Sequence, residues 1–166
     1  MASYTISELL RADGVTRWHI VATVRQQSLA EHTYRVAVIV GKLLDELLYP
    51  NYNLLADALI HDADEILDGD IPTPTKEKYG IPTNGVDVKD EEEAILKGAD
   101  LIEMFDFILD NAYTPHGVQV IEYIGEKLNK YMVQINPQYP KVVDAMYKMV
   151  EELRFNERVE AKKVPC

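Results

Sequence analysis

Cysteine is almost missing from this chain: the only one, Cys166, is its last residue. No disulfide can form within the chain, which fits a reducing cytosol. Basic residues are also scarce, with 17 Lys and Arg against 28 Asp and Glu and a net charge of −11. Extended nucleic acid is a poor partner for such a surface, because counterion release needs converging cations. A small phosphate compound stays possible if the few basic residues meet locally. No apolar run is long enough to cross a membrane, and the N-terminus lacks the basic-then-apolar pattern of a secretory signal. These absences predict a cytoplasmic protein with no membrane partner. Repeats, heptad seams, low-complexity segments and strand-rich regions are lacking as well.

What is present is ordinary for a globular protein. Apolar residues make up 47% of the 166 and charged residues 27%, enough to build one sizeable core, so residues 1–166 are expected to form a single domain. The periodicity is helical throughout. A short helix is predicted over 3–13, with Ile6, Leu9 and Leu10 on one side. Ser28-Leu29-Ala30-Glu31 reads as a capping box opening a helix to about Leu48. Asn51 or Asn53 caps the next helix, to about Leu67, and Asp90 with the glutamates 91–93 opens another at its positive end. Thr114-Pro115 caps a helix to about Val133, and a last helix covers about 140–156. The expected fold is all-α, six to seven helices around one core.

Several polar residues sit where apolar ones belong. His61-Asp62, with Glu65 four and three residues on, interrupts an apolar helix. Histidine offers a nitrogen ligand and aspartate a hard oxygen ligand, and a nearby glutamate can move a proton. His32 starts the inward face of its helix, continued by Val36, Ile39 or Val40, and Leu43, and lies 29 residues ahead of the His-Asp pair. It reads either as a buried histidine bonded to a carbonyl or as a metal ligand. Asp100 shares a stripe with Leu96, Met104 and Phe107 and reads either as a paired surface acid or as a ligand from a separate helix. Arg17 precedes the only tryptophan, Trp18. Arg forks onto phosphate and Trp stacks on a base or sugar, although a Trp can equally anchor the core. Residues 67–76, stiffened by Gly69, Pro72 and Pro74, are expected to be a loop offering Asp70 and Lys76 to a substrate. Residues 79–90 are rich in Gly, Pro, Asn and Asp and suggest a lid or a contact to another subunit.

The combination His32, His61-Asp62, Asp100 resembles the metal-dependent HD-domain phosphohydrolases. The wider set is Arg17-Trp18, Val24-Arg25, Ser28-x-x-Glu31-His32, His61-Asp62-x-x-Glu65, Gly69-Asp70-x-Pro72-Thr73-Pro74-x-Lys76 and Lys97-x-Ala99-Asp100. It is similar to the signature of the YfbR-like 5′-deoxynucleotidases and of the related phage dATP triphosphohydrolases, over about residues 15–104. The resemblance implies a compact HD-domain bundle in which His32, His61, Asp62 and Asp100 hold one divalent transition metal (zinc, cobalt or manganese). It implies Glu65 as acid/base beside the attacking water and Asp70 ordering the sugar or the water. Arg17 and Lys76 would bind phosphate oxygens, while Trp18, Ile20 and Pro74 would wall a pocket that excludes ribose near C2′. It further implies a homo-oligomer, dimer or hexamer. The chain is shorter than typical bacterial members, chiefly after residue 76. That compactness, with Trp18-His19-Ile20 and Pro74, favours a phage-type enzyme that converts dATP to deoxyadenosine and triphosphate, working in a host cytoplasm. The alternative is a 5′-deoxynucleotidase acting on deoxynucleoside monophosphates.

Overall fold

The computed structural model describes the backbone of residues 4–81 and 88–161, and side chains there except those of Thr73, Pro74, Glu77 and 155–161. Residues 82–87 of the 79–90 segment, the side chain of Pro74 and Cys166 thus lie outside the described residues. Apolar faces at helical spacing build the long elements: α2 (Leu29–Leu47), α3 (Tyr52–Ile60), α6 (Glu91–Asn111), α7 (Pro115–Ile135) and α8 (Pro140–Ala161). Shorter helices are α1 (Ile6–Leu9), α4 (Glu65–Asp68) and α5 (Thr73–Tyr79), and a 3-10 turn spans Leu10–Gly14. The fold is all-α, as expected, apart from one small antiparallel pair, β1 (Thr16–Arg17) and β2 (Gln27–Ser28), with Thr16 opposite Ser28.

Helix starts follow the predicted caps. Asn51 accepts from the backbone N–H groups of Asn53 and Leu54, Asp90 from that of Glu93, and Thr114 from that of Gly117. Ser28 likewise accepts from the Glu31 N–H, but the Glu31 carboxylate turns to Arg25 instead of closing a capping box. The box that does close is at Thr5 and Glu8.

α6 is the central element, packed against α2, α7 and α8, while α2 also packs on α3. The main core gathers Val36, Val40 and Leu43 of α2, Ile95, Ile102 and Phe105 of α6, Leu128 and Met132 of α7, and Val142 and Met146 of α8. Gly98 lets α8 close on α6: a Cβ there would lie 1.8 Å from Met146 Cε. A satellite cluster of Leu29, Ala63 and Ile66 seats Leu9 and Val15 of the N-terminal segment.

Three expectations change. Ile6 and Leu10 are each 72% exposed, so the first helix rests on Leu9 rather than on all three. The helix predicted to reach Leu67 stops at Ile60: Ala63, Glu65 and Ile66 bond three residues back, a tight turn that swings the His61–Asp64 segment around before α4. Residues 73–79 are helical, so Lys76 stands on α5 and not on an irregular loop. Pro74 is compatible with this because it occupies the first turn, where its missing N–H has no partner to lose.

Candidate metal centre and nucleotide pocket

Four side chains from three places in the chain converge. His32 comes from the first turn of α2, His61 and Asp62 from the tight turn after α3, and Asp100 from α6. One ligand atom from each lies within 4.8 Å of all the others. His32 Nε2 is 3.4 Å from both Asp62 Oδ2 and Asp100 Oδ1, and His61 Nε2 is 3.4 Å from Asp62 Oδ2.

Each imidazole has its Nδ1 engaged: His61 donates to the Ala58 carbonyl at 2.8 Å, and His32 Nδ1 meets Glu103 Oε2 at 2.6 Å. Both Nε2 atoms are buried and without a hydrogen-bond partner. Two orphaned nitrogens facing two carboxylates are what a divalent cation satisfies, so the residues present fit one. A mixed nitrogen and oxygen donor set suits zinc, cobalt or manganese.

The electrostatics show how far the cluster demands positive charge. Burial and the Arg17 charge oppose an imidazolium at His32, yet the surrounding Asp100, Asp62 and Glu103 carboxylates prevail and push its pKa up to about 10. Burial would raise the Asp62 pKa, but His32, His61 and Arg17 hold it below the ordinary carboxylate value. Asp100 is lowered in the same way against its burial, chiefly by His32.

Above the cluster opens a pocket. Arg17 is 8% exposed and its Nη1 bridges Asp62 Oδ2 at 3.0 Å and Glu65 Oε2 at 2.9 Å. Lys76 Nζ lies 3.4 Å from the other Glu65 oxygen. Glu65 is therefore a carboxylate between two cations but close to Asp62 and Asp70. Burial first, then those two acids, raise its pKa to about 7 against Arg17 and Lys76. A carboxyl poised there can exchange a proton near neutral pH. Asp70 lies 3.8 Å from His19 Nδ1 and lines the pocket.

Trp18 and Ile20 line the wall. The Trp18 ring stacks on Phe107 at 6.1 Å, against the core, and the residue also lines the pocket. The far wall comes from α6 and α7, with Lys97, Met104, His116, Val120, Tyr123 and Lys127.

The structure thus brings together His32, His61, Asp62, Asp100, Glu65, Asp70, Arg17, Trp18, Ile20 and Lys76. Sequence reasoning missed Glu103, Gln27 and the α7 contribution. Glu103 is fully buried one turn beyond Asp100, and a second carboxylate on the same inward stripe was the available signal. Gln27 carries no such signal, since its burial follows from the β-pair.

This chain is similar to the dATP triphosphohydrolase of Salmonella phage PMBT28, at 26% identity over 92% of this chain and 91% of that protein. It is similar to the 5′-deoxynucleotidase ECA3034 of Pectobacterium atrosepticum, at 30% identity over 78% of this chain and 70% of that one. Its fold superposes on the cyanophage S-2L HD phosphohydrolase DatZ, solved with dA and one catalytic Zn2+. The TM-score is 0.75 at 25% identity, covering 92% of this chain and 97% of that structure. The model of the YfbR-like 5′-deoxynucleotidase family matches residues 5–163. The match spans nearly the whole chain, well beyond the metal cluster, and on it this chain belongs to the YfbR-like 5′-deoxynucleotidase family.

Proposed function

We propose that this protein is a metal-dependent phosphohydrolase of 2′-deoxynucleotides that converts dATP to deoxyadenosine and triphosphate. The observation that carries the triphosphate assignment is the charge around the pocket. Four cationic side chains, Arg17, Lys76, Lys97 and Lys127, line it beside the carboxylates Asp62, Glu65, Asp70 and Asp100, although the chain as a whole is strongly acidic. Lys97 titrates below its ordinary value, chiefly because it is buried, with Lys127 adding to the shift and Asp100 opposing it. A pair of lysines held this way gains from a polyanion more than from a single phosphate. The likeness to the phage dATP triphosphohydrolase over nine-tenths of both chains supports the same reading.

In this reading His32, His61, Asp62 and Asp100 would hold a divalent cation, which would supply charge neutralisation at the reacting phosphate and lower the pKa of the attacking water. Arg17 and Lys76 bind phosphate oxygens and stabilise the charge as water adds to the α-phosphorus. A new P–O bond forms, the P–O5′ bond breaks, and a proton ends on O5′ of the departing deoxyadenosine. Glu65 handles that proton traffic and Asp70 orders the sugar or the water. Trp18 and Ile20 wall the nucleoside, and close packing at C2′ excludes ribose. Residues 1–166 act as one catalytic domain, in keeping with a family match over 5–163.

The second reading, a 5′-deoxynucleotidase, is favoured by the family description itself and by the Pectobacterium relative. It uses the same metal site and asks for fewer cations around the phosphate. Metal-loaded protein incubated separately with dATP, dGTP, dAMP and ATP, and resolved by anion exchange, tests both. Triphosphate from dATP is the expected product. Orthophosphate from dAMP with dATP untouched would establish the second reading, and no product despite bound metal would leave a binding module.

The reading carries with it a cytoplasmic location, where the deoxynucleotide pool lies; among the described residues no helix is long and apolar enough to cross a membrane. It also carries assembly into a dimer or hexamer. Exposed Tyr34 and Val38 on α2 and Leu59 and Ile60 on the adjoining α3 support self-association. Light scattering on the eluting protein tests it, and a monomer at micromolar concentration would remove it.

A further inference from the structure

We propose that Glu103 is a positioning residue that ties the metal centre to the nucleoside wall: it orients His32 for the cation and, through Gln27, holds Trp18 in place. The proposal rests on the metal-centre reading above.

Glu103 and Gln27 are both fully buried. An isolated carboxylate there would cost several kcal/mol, but every oxygen of Glu103 is used. Oε1 accepts from Gln27 Nε2 at 2.7 Å and lies 2.8 Å from Arg35 Nε, while Oε2 sits 2.6 Å from His32 Nδ1. Beside Arg35 the group is an acceptor, so His32 Nδ1 is the donor. That fixes the tautomer of the neutral ring, in which Nε2, between Asp62 and Asp100, carries the lone pair.

The second arm runs the other way. With its N–H given to Glu103, the Gln27 amide turns Oε1 toward Trp18, which donates Nε1–H at 3.0 Å. Trp18 needs holding. Its φ is 60°, a left-handed conformation that is strained for a bulky residue. Two restraints maintain it: the Gln27 bond at the indole edge and the Phe107 ring against its face. Asp100, Glu103 and Phe107 fall on successive turns of α6, so one helix face carries a metal ligand, the carboxylate that aims another, and the platform under the tryptophan. A network needed only for stability has no reason to connect the strained pocket residue to the ligand nitrogen.

Trp18 is the only tryptophan, so its indole N–H gives one resonance in a nitrogen-correlated NMR spectrum. Zn2+ would be titrated into the full-length wild type, Glu103→Gln and Gln27→Met, following metal affinity, the indole resonance, and KM and kcat for dATP and dAMP. Glu103→Gln is expected to weaken Zn2+ binding about 10- to 100-fold. Gln27→Met is expected to keep Zn2+ affinity within a few-fold, lose the Zn2+-induced indole shift, and raise KM more than it lowers kcat. Unchanged Zn2+ affinity in Glu103→Gln would overturn the orienting role. An indole resonance that ignores Zn2+ in the wild type, or still follows it in Gln27→Met, would overturn the coupling. If Glu103→Gln fails to fold, the wild-type shift and its loss in Gln27→Met decide. A wild type that takes up no Zn2+ would instead remove the metal-centre reading and this proposal with it, a result distinct from the others.

Discussion

The two sides of α6 are built on opposite principles. Toward α8 it presents Gly98 to Met146, and the contact is apolar, close and indifferent to charge. Toward β2 and the first turns of α2 it presents Asp100 and Glu103, whose partners are ionisable or hydrogen-bonding groups: His32, Arg35, Gln27 and, beyond them, Arg17. The first side stabilises by excluding water and filling volume. The second places charges where water is scarce, so each is stable only with its partners, and the two histidine Nε2 atoms have none. The comparison teaches that the apolar side supplies the rigidity against which the polar side can keep an unsatisfied, cation-seeking arrangement.

The sharpest way to break this division is to remove a ligand. Asp62→Ala should lose bound metal and turnover together while circular dichroism stays helical; full activity in metal-free protein would end the site assignment. Chelation of the wild type should have the same effect, reversed by adding metal back.

Next in size, Glu65→Gln should keep metal content and lower kcat about 10²–10⁴-fold. Its pH dependence sharpens the test. The Glu65 pKa is raised from the ordinary 4.5 to about 7, so the carboxyl is protonated, and useless as a base, below that value. Activity should therefore fall as pH drops through an inflection at or below about 7, since a bound cation favours the carboxylate further. In Glu65→Gln that limb should vanish; an unchanged profile would assign it to another group.

On the apolar side, Met146→Ala should destabilise the fold by about 2–5 kcal/mol in denaturant titrations, yet leave kcat unchanged below the new transition. A fall in kcat matching the loss of stability would mean that the two sides are not separable. Smallest is Trp18→Ala, expected to cost about 1–3 kcal/mol of substrate binding, read as a raised KM with little change in melting temperature. Global unfolding would show that the Phe107 stack is its main office.

Much of this was legible without coordinates. His32, Asp62 and Asp100 stand out because charged or polar groups on apolar helical faces need a partner, and that is a local property of spacing. The caps at Asn51, Asp90 and Thr114 are equally local, since each side chain bonds a backbone N–H within three residues. The all-α class follows from the same short-range periodicity. What spacing could not decide were contacts between distant segments. The break of α3 at Ile60 places Asp62 and Glu65 by turn geometry and by the docking of Ala63 and Ile66 under the N-terminal segment, not by helical register. Gln27 is buried between Trp18 and Glu103 on a strand paired with Thr16–Arg17, and Glu103 is reached by His32 across 71 residues of chain. The lysine wall depends on how α6 and α7 face the pocket. Local periodicity selects helices and marks the misfit polar residues. Which of them meet, and with what unsatisfied valence, is set by packing over long sequence separations, and only the tertiary structure decides that.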